Sequence, residues 1–274
     1  MLAIEVITQD KEEQQLIALL DGLIQPLYRD LPYHNYGHAR DEVLPVALKL
    51  DDLDPAGGDP VQRRELIVES LGHDALDYLP LTDENFKSKE ERAAYHIAWL
   101  LRRQVHEDDI YFNEFSIEQI GKTIERNKPG EKCVTPNDFK LRRADLSNVG
   151  SPFRTVFLAG TVKLFHERVI LDAEAGQLTP PWPEFLDEQV SILHGLLQQD
   201  LSIGGERKVR RSSGQISKFG QLANSNVSLL SSKLGVRDPE RFIRRYGTHL
   251  LELVPDFKNI VPLIRGQADG GSVS

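Results

Sequence analysis

Five side chains within the first 145 residues have the types and spacing to do chemistry together. "YHNYGHARDEV" (33–43) sets His34 and His38 four residues apart, with Tyr33 and Asn35 around the first. "ESLGHDALDYLP" (69–80) carries the adjacent pair His73 and Asp74, and "LRRADLSNVG" (141–150) places Asp145 among Leu141, Ala144 and Leu146. A carboxylate on an apolar face is costly unless it is paired or bound to metal. His38, His73, Asp74 and Asp145 offer two imidazoles and two carboxylates. Such a mixed nitrogen and oxygen set suits a divalent transition metal with positions left open for water and substrate.

The elements that must position these residues read as helices. Leu16, Leu20, Leu23 and Leu27 follow the rhythm of one helix face. Asp59 and Pro60 make a start signal of N-cap followed by proline at the first helical position. Ser88 with Glu91, and Ser116 with Gln119, have capping-box spacing. Ser151 and Pro152 open a further stretch that Gly176 should stop. After "TPPWP", where Trp182 reads as a packing anchor, come two more amphipathic segments, "EFLDEQVSILHGLLQQDL" and "DPERFIRRYGTHLLELV". Asp145 is expected near the start of a bundle helix, and Pro45 should kink the helix that follows His38. Alternating apolar runs bounded by hairpin turns are absent, so the class is all-α.

Bulk properties narrow the field. A net charge of −9 over 274 residues argues against a whole-chain nucleic-acid binder. The single cysteine, Cys133, excludes an internal disulfide and a cysteine-rich zinc site, and suits a reducing compartment. Neither a secretory signal nor a membrane-length apolar run is present, so a cytoplasmic protein with no membrane partner is the expectation. Composition shifts near residue 202 to Gly, Ser and basic residues, with Arg207, Lys208, Arg210, Arg211 and Lys218 close together; this reads as a solvated loop or linker. The chain is therefore divided into a domain over 1–201 and a partly flexible helical extension over 202–274 with a disordered tail.

The order H…HD…D on an all-helical chain resembles the HD superfamily of metal-dependent phosphohydrolases. The 33–43 stretch is similar to the first signature of its cyclic-nucleotide phosphodiesterase branch, and "ADLSNVG" to the third signature of the small predicted HD phosphohydrolases. The resemblance spans about residues 30–150, continues to about 200, and does not cover the last seventy or so. It implies an HD-domain, phosphodiesterase-like helical bundle in which His38, His73, Asp74 and Asp145 hold manganese, iron, cobalt, nickel or zinc. A second, weakly held magnesium or manganese is compatible with it. The resemblance also makes His34 the acid that protonates the leaving oxygen, and Asp77 the carboxylate that orients the attacking water, although the family more often has Glu at that offset. Asp41 is expected to fix a histidine tautomer.

The implied activity is hydrolysis of a small phosphate ester, nucleotide-like, with monoester against diester action and homodimerisation left open. Two other readings stay beside it: a di-iron HD oxygenase, and a catalytically weak HD protein that binds a nucleotide and signals through the extension. Two close metals would need further histidines between the HD pair and the final aspartate, where only His96 and His106 lie, so one tight metal is preferred. His96 reads as a core histidine.

Overall fold

Leu16, Ile17, Leu20 and Ile24 are buried together on one side of the second helix, as the leucine rhythm requires. The computed structural model describes residues 2, 4–55, 58–80, 85–108, 112–128, 130–197, 218–232 and 236–266, with the backbone alone for 105–108. Every regular element among them is helical and no strand occurs, so the fold is all-α. The basic segment up to residue 217 and the tail from 267 lie outside the described residues.

Two compact units share the chain, one within Met1–Ser147, the other formed by the described residues from Asn148 onward. The division falls well before the composition shift near 202, which itself lies outside the described residues. The helices of 154–197 consequently group with the C-terminal helices.

The first unit contains α1 (Ile4–Ile7), α2 (Lys11–Ile24), a short 3-10 turn (Gln25–Leu27), a π-helix (His38–Val43), α3 (Leu44–Asp52), α4 (Pro60–Gly72), α5 (Lys89–Asp108), α6 (Glu114–Arg126) and α7 (Pro136–Asp145). Its core joins Leu44 and Leu48 of α3, Ile67, Val68 and Leu71 of α4, Ile97 of α5 and Ile120 and Ile124 of α6. Asp59 caps α4 as expected, its side chain accepting from the Val61 N–H. At α5 the Ser88 hydroxyl accepts from the Glu91 N–H, while the Glu91 carboxylate reaches the Lys87 N–H instead of closing the box on Ser88.

The expected box at Ser116 and Gln119 does not form. Asn113 caps α6 by accepting from the Ser116 N–H at 2.9 Å, so Ser116 lies inside the helix and is buried. Asparagine is as good a cap as serine, and the earlier of the two captured the first turn.

The second unit contains α8 (Arg154–Glu174), α9 (Trp182–Leu197), α10 (Lys218–Ser231), α11 (Pro239–Leu253) and α12 (Phe257–Ile264). Gly176 follows α8 at a φ of 66°, the left-handed stop its position suggested. Trp182 is buried against Phe165, Phe185 and Phe242, and its indole N–H donates to the Val236 carbonyl at 2.8 Å. No helix among the described residues is long and apolar enough to cross a membrane.

Candidate metal centre

Asp74 and His73 stand where α4 gives way to a run of tight turns. Gly72, the last residue of α4, lets α5 approach: a Cβ there would meet Ile97 Cγ1 at 2.8 Å. Past the helix, Leu76 adopts a φ of 62°, which costs a branched side chain roughly 1–3 kcal/mol and persists only where its surroundings over-determine it. They do. The Leu76 N–H donates to the Leu27 carbonyl, and the buried Arg92 guanidinium of α5 donates to the carbonyls of Leu76, Leu79 and Pro80. That clamp fixes the loop bearing Asp74 and Asp77.

His38 is placed by a different device. Asn35 is the true start signal: its Oδ1 accepts from the His38 N–H at 3.0 Å, so residues 33–35 are bends and the helical turn opens only at Tyr36. His34 and His38 therefore do not stack on one helix face as a helical 34–38 would require; their rings stand 6.3 Å apart and nearly perpendicular. From His38 to Val43 the backbone is π-helical, the Leu44 N–H reaching back to the Ala39 carbonyl. The expected kink at Pro45 takes this form: a widened turn precedes the proline, which then sits within the first turn of α3. Tyr36 and Arg40 tie the segment to α2 through Asp21, at 2.6 and 2.9 Å.

Asp145 is the final residue of α7, not a residue near a helix start. α7 starts with a capping box made by Thr135 and Asp138, with Pro136 behind the cap, a start signal absent from the helix signals read above. Aspartate in place of the more familiar Glu or Gln at the third position hid it. Leu141 and Ala144 are fully buried, and Asn127, just past α6, donates to Asp145 Oδ2 at 3.2 Å, leaving Oδ1 to face the histidines.

These three devices bring one ligand atom each from His38, His73, Asp74 and Asp145 within 4.8 Å of one another. His38 Nε2 lies 3.3 Å from Asp145 Oδ1 and 3.9 Å from Asp74 Oδ2, and His73 Nε2 lies 2.9 Å from Asp74 Oδ2. The histidines are 5% and 1% exposed respectively. The far nitrogen of each ring is occupied: His73 Nδ1 faces the Ser70 carbonyl at 2.9 Å and His38 Nδ1 faces Glu42 Oε2 at 3.1 Å. Both acceptors favour a proton on Nδ1 and turn Nε2 toward the two carboxylates. His73 Nε2 and Asp74 Oδ2 pair by charge but lack the alignment of a hydrogen bond, and neither buried atom has a hydrogen-bond partner among the described residues.

Charge tells the same story. Burial works against protonation of either histidine, yet the Asp145 and Glu42 hydrogen bonds carry His38 above its ordinary value, and Asp74 and Asp145 carry His73 well above it. Burial pushes the carboxylates up, but the His38 and His73 imidazoles take Asp145 well below the usual range, and His73 with His34 lowers Asp74. The described residues set no lysine or arginine on Asp74 or Asp145. His73 caps the C-terminus of α4 and Asp145 ends α7, so the negative ends of two helix dipoles add to the same spot. The four side chains could together hold a metal ion.

No protein-family model matches the chain, and no curated protein or solved structure matches it.

Around the four-atom cluster the other expected residues take different places. Asp77 is outside it, with Oδ2 2.9 Å from Lys89 Nζ and 3.8 Å from His34 Nδ1. His34 is partly exposed and packs edge-on against the Tyr33 ring. Asp41, expected at a histidine, instead pairs with Arg40 at 2.8 Å and accepts from the Leu2 N–H; Glu42 does that work one residue later. The i, i+4 spacing of His38 and Glu42 was the available signal. His96 is not a core residue: it lies half-buried beside Phe86 and Tyr95. His106 has no described side chain.

Proposed function

We propose that this chain is a metal-dependent phosphohydrolase of the HD type, acting on a phosphate ester of a nucleotide or a related small metabolite. The observation that carries the reading is a partly exposed pair of carboxylates gathered with two buried imidazoles, with no lysine or arginine on them among the described residues. Manganese, iron, cobalt, nickel or zinc fits that donor set, with His38, His73, Asp74 and Asp145 as ligands. Bound there, the ion would supply Lewis acidity toward a phosphoryl oxygen and make water nucleophilic near neutral pH.

The remaining steps belong to the chain. Glu42, the Ser70 carbonyl and Asn127 hold the ligands in orientation. His34 stands at the partly exposed rim with Nδ1 toward Asp77, so its Nε2 is the atom that holds a proton for the departing oxygen. Lys89 keeps Asp77 in place and brings positive charge beside the position an anionic ester would take. Asp77 then serves to hold His34 as much as to orient water. A cytoplasmic setting belongs to the same reading, supported by the lone Cys133.

The decisive experiment is hydrolysis of paired phosphomonoesters and phosphodiesters, with nucleotides and cyclic nucleotides included, after reconstitution with manganese. Turnover that disappears in Asp145→Ala supports the reading and shows which bond breaks. Silence across the panel with metal bound overturns it in favour of a di-iron oxygenase or a nucleotide sensor.

A further inference from the structure

The outer face of α5 carries Glu91, Tyr95, Trp99 and Arg103, each one turn beyond the last. Side chains four apart on a helix stand about 5–6 Å from one another at Cβ, so the row is a continuous ridge. Its middle is aromatic and open: Tyr95 is 56% exposed and Trp99 46% exposed. The opposite side of the same helix, with Ala93, Ile97 and Leu101, is buried in the core. Both rings are buttressed. Phe86 stands 5.5 Å from the Tyr95 ring, and the Arg103 guanidinium lies 5.3 Å from the centroid of Trp99. At the other end the Lys87 N–H donates to Glu91 Oε2 at 2.7 Å.

Exposed apolar side chains are ordinary when they stand alone. Adjacent tryptophan and tyrosine with an arginine beside them are the residue types that anchor protein interfaces. The order of types along the ridge decides what it fits: acid, aromatic, aromatic, base. Laid antiparallel on a copy of itself, about a two-fold axis level with Ile97, the ridge sets each Tyr95 against the partner's Trp99. The same operation sets each Glu91 against the partner's Arg103. A two-fold contact requires this kind of self-complementarity. Ridges of four-residue spacing pack into one another's grooves at a crossing of about 50°. The small side chains of Ala94 and Ala98, on the next row of α5, leave such a groove beside the ridge.

We propose that this ridge is the face through which two copies of the chain form a symmetric dimer. Tyr95 and Trp99 supply the apolar area removed from water. The two Glu91–Arg103 pairs fix the direction, because a parallel arrangement would set acid on acid and base on base. One helix face from each copy is a small interface, under about 1,200 Å², and the dimer is accordingly weak, with a Kd roughly in the micromolar range. None of the four clustered ligands takes part, so the dimer does not depend on the phosphohydrolase reading.

Sedimentation equilibrium of the full chain, from below to well above micromolar concentration, should show a reversible monomer–dimer equilibrium. Trp99→Ala should weaken it about tenfold or more. Glu91→Arg and Arg103→Glu, each alone, set like charges face to face and should leave monomers with the helical circular dichroism unchanged. Mixing those two variants is the decisive step. In the mixed dimer both contacts again pair opposite charges, so association should return. If Glu91→Arg loses its helical signal, Trp99→Ala and Arg103→Glu decide the matter, since both of those side chains are exposed. A wild-type chain that stays monomeric at the highest concentration overturns the proposal. So does a dimer that Trp99→Ala and Arg103→Glu leave intact, or a mixture of the two folded charge variants that fails to associate.

Discussion

Two buried polar clusters sit on the same helices of the first unit, and they are built oppositely. At one, Lys140 of α7 reaches Asp51 at 2.7 Å and Asp54 at 3.2 Å, while Arg63 of α4 ties Asp51, Asp52 and Glu13 together. Each carboxylate there is met by a cation that the chain itself provides. Little more than a turn along α7, Asp145 is less buried, as is Asp74 beside it, and the two meet only imidazoles and an amide among the described residues. A cluster that serves the fold closes on itself. The other, with no lysine or arginine on its carboxylates among the described residues, is the one that could hold a metal ion.

The comparison breaks first at Asp145 and Lys140. Asp145→Ala should reduce bound metal from about one per chain to a trace by elemental analysis and abolish turnover, with the helical circular dichroism retained. Lys140→Met should do the reverse. It leaves Asp51 and Asp54 buried without their cation and should cost about 3–5 kcal/mol in urea unfolding, with metal stoichiometry unchanged in the protein that folds. If Lys140→Met lost its metal and Asp145→Ala kept it, the two clusters would have been assigned the wrong way round.

A smaller effect concerns the empty charge balance itself. Manganese at one hundred times its Kd should stabilise the chain by about 2.7 kcal/mol, and a chelator should remove that gain. Because His38 and His73 have raised proton affinity, protons compete with metal up to and above the ordinary imidazole value. Metal affinity should therefore rise with pH through the neutral range, with protons released on binding, and calorimetry in buffers of different ionisation heat would register them. Affinity independent of pH between 6 and 8 would contradict the assignment, on a scale where free imidazole titrates near 6.5.

The smallest change is at the orienting residues. Glu42→Gln and Asn127→Ala should each weaken metal binding about 10–100-fold while Asp41→Asn, one residue from Glu42, should leave it unaltered. Equal losses at Asp41 and Glu42 would mean that the ring orientation of His38 is set by the whole segment and not by one carboxylate.

How much of this could be read from residue types differs by distance along the chain. Asp59 with Pro60, the leucines of α2 and Gly176 act within a turn or two, and local spacing locates them. The four clustered side chains were legible because buried His and Asp are costly enough to be conspicuous among apolar neighbours. Their supports were not. Glu42 and Asp41 are indistinguishable until the π-helical turn decides which of them faces His38. Asn127 meets Asp145 only because α6 and α7 end side by side. Arg92 clamps a loop sixteen residues earlier through backbone carbonyls, which carry no sequence signal at all.

The π-helix at His38–Val43 has a consequence for how the gene can vary. Such a turn holds one residue more than an α-turn of the same hydrogen-bonded ladder. Losing a single codon between 39 and 43 would let the ladder close as an ordinary helix continuous with α3. His38 would then swing by about 100° around the axis relative to the buried face of that helix. The core of α3 would keep its register, and the imidazole would not. Among one-codon losses in this stretch of the chain, those are the ones expected to give a well-folded helical protein with no metal centre.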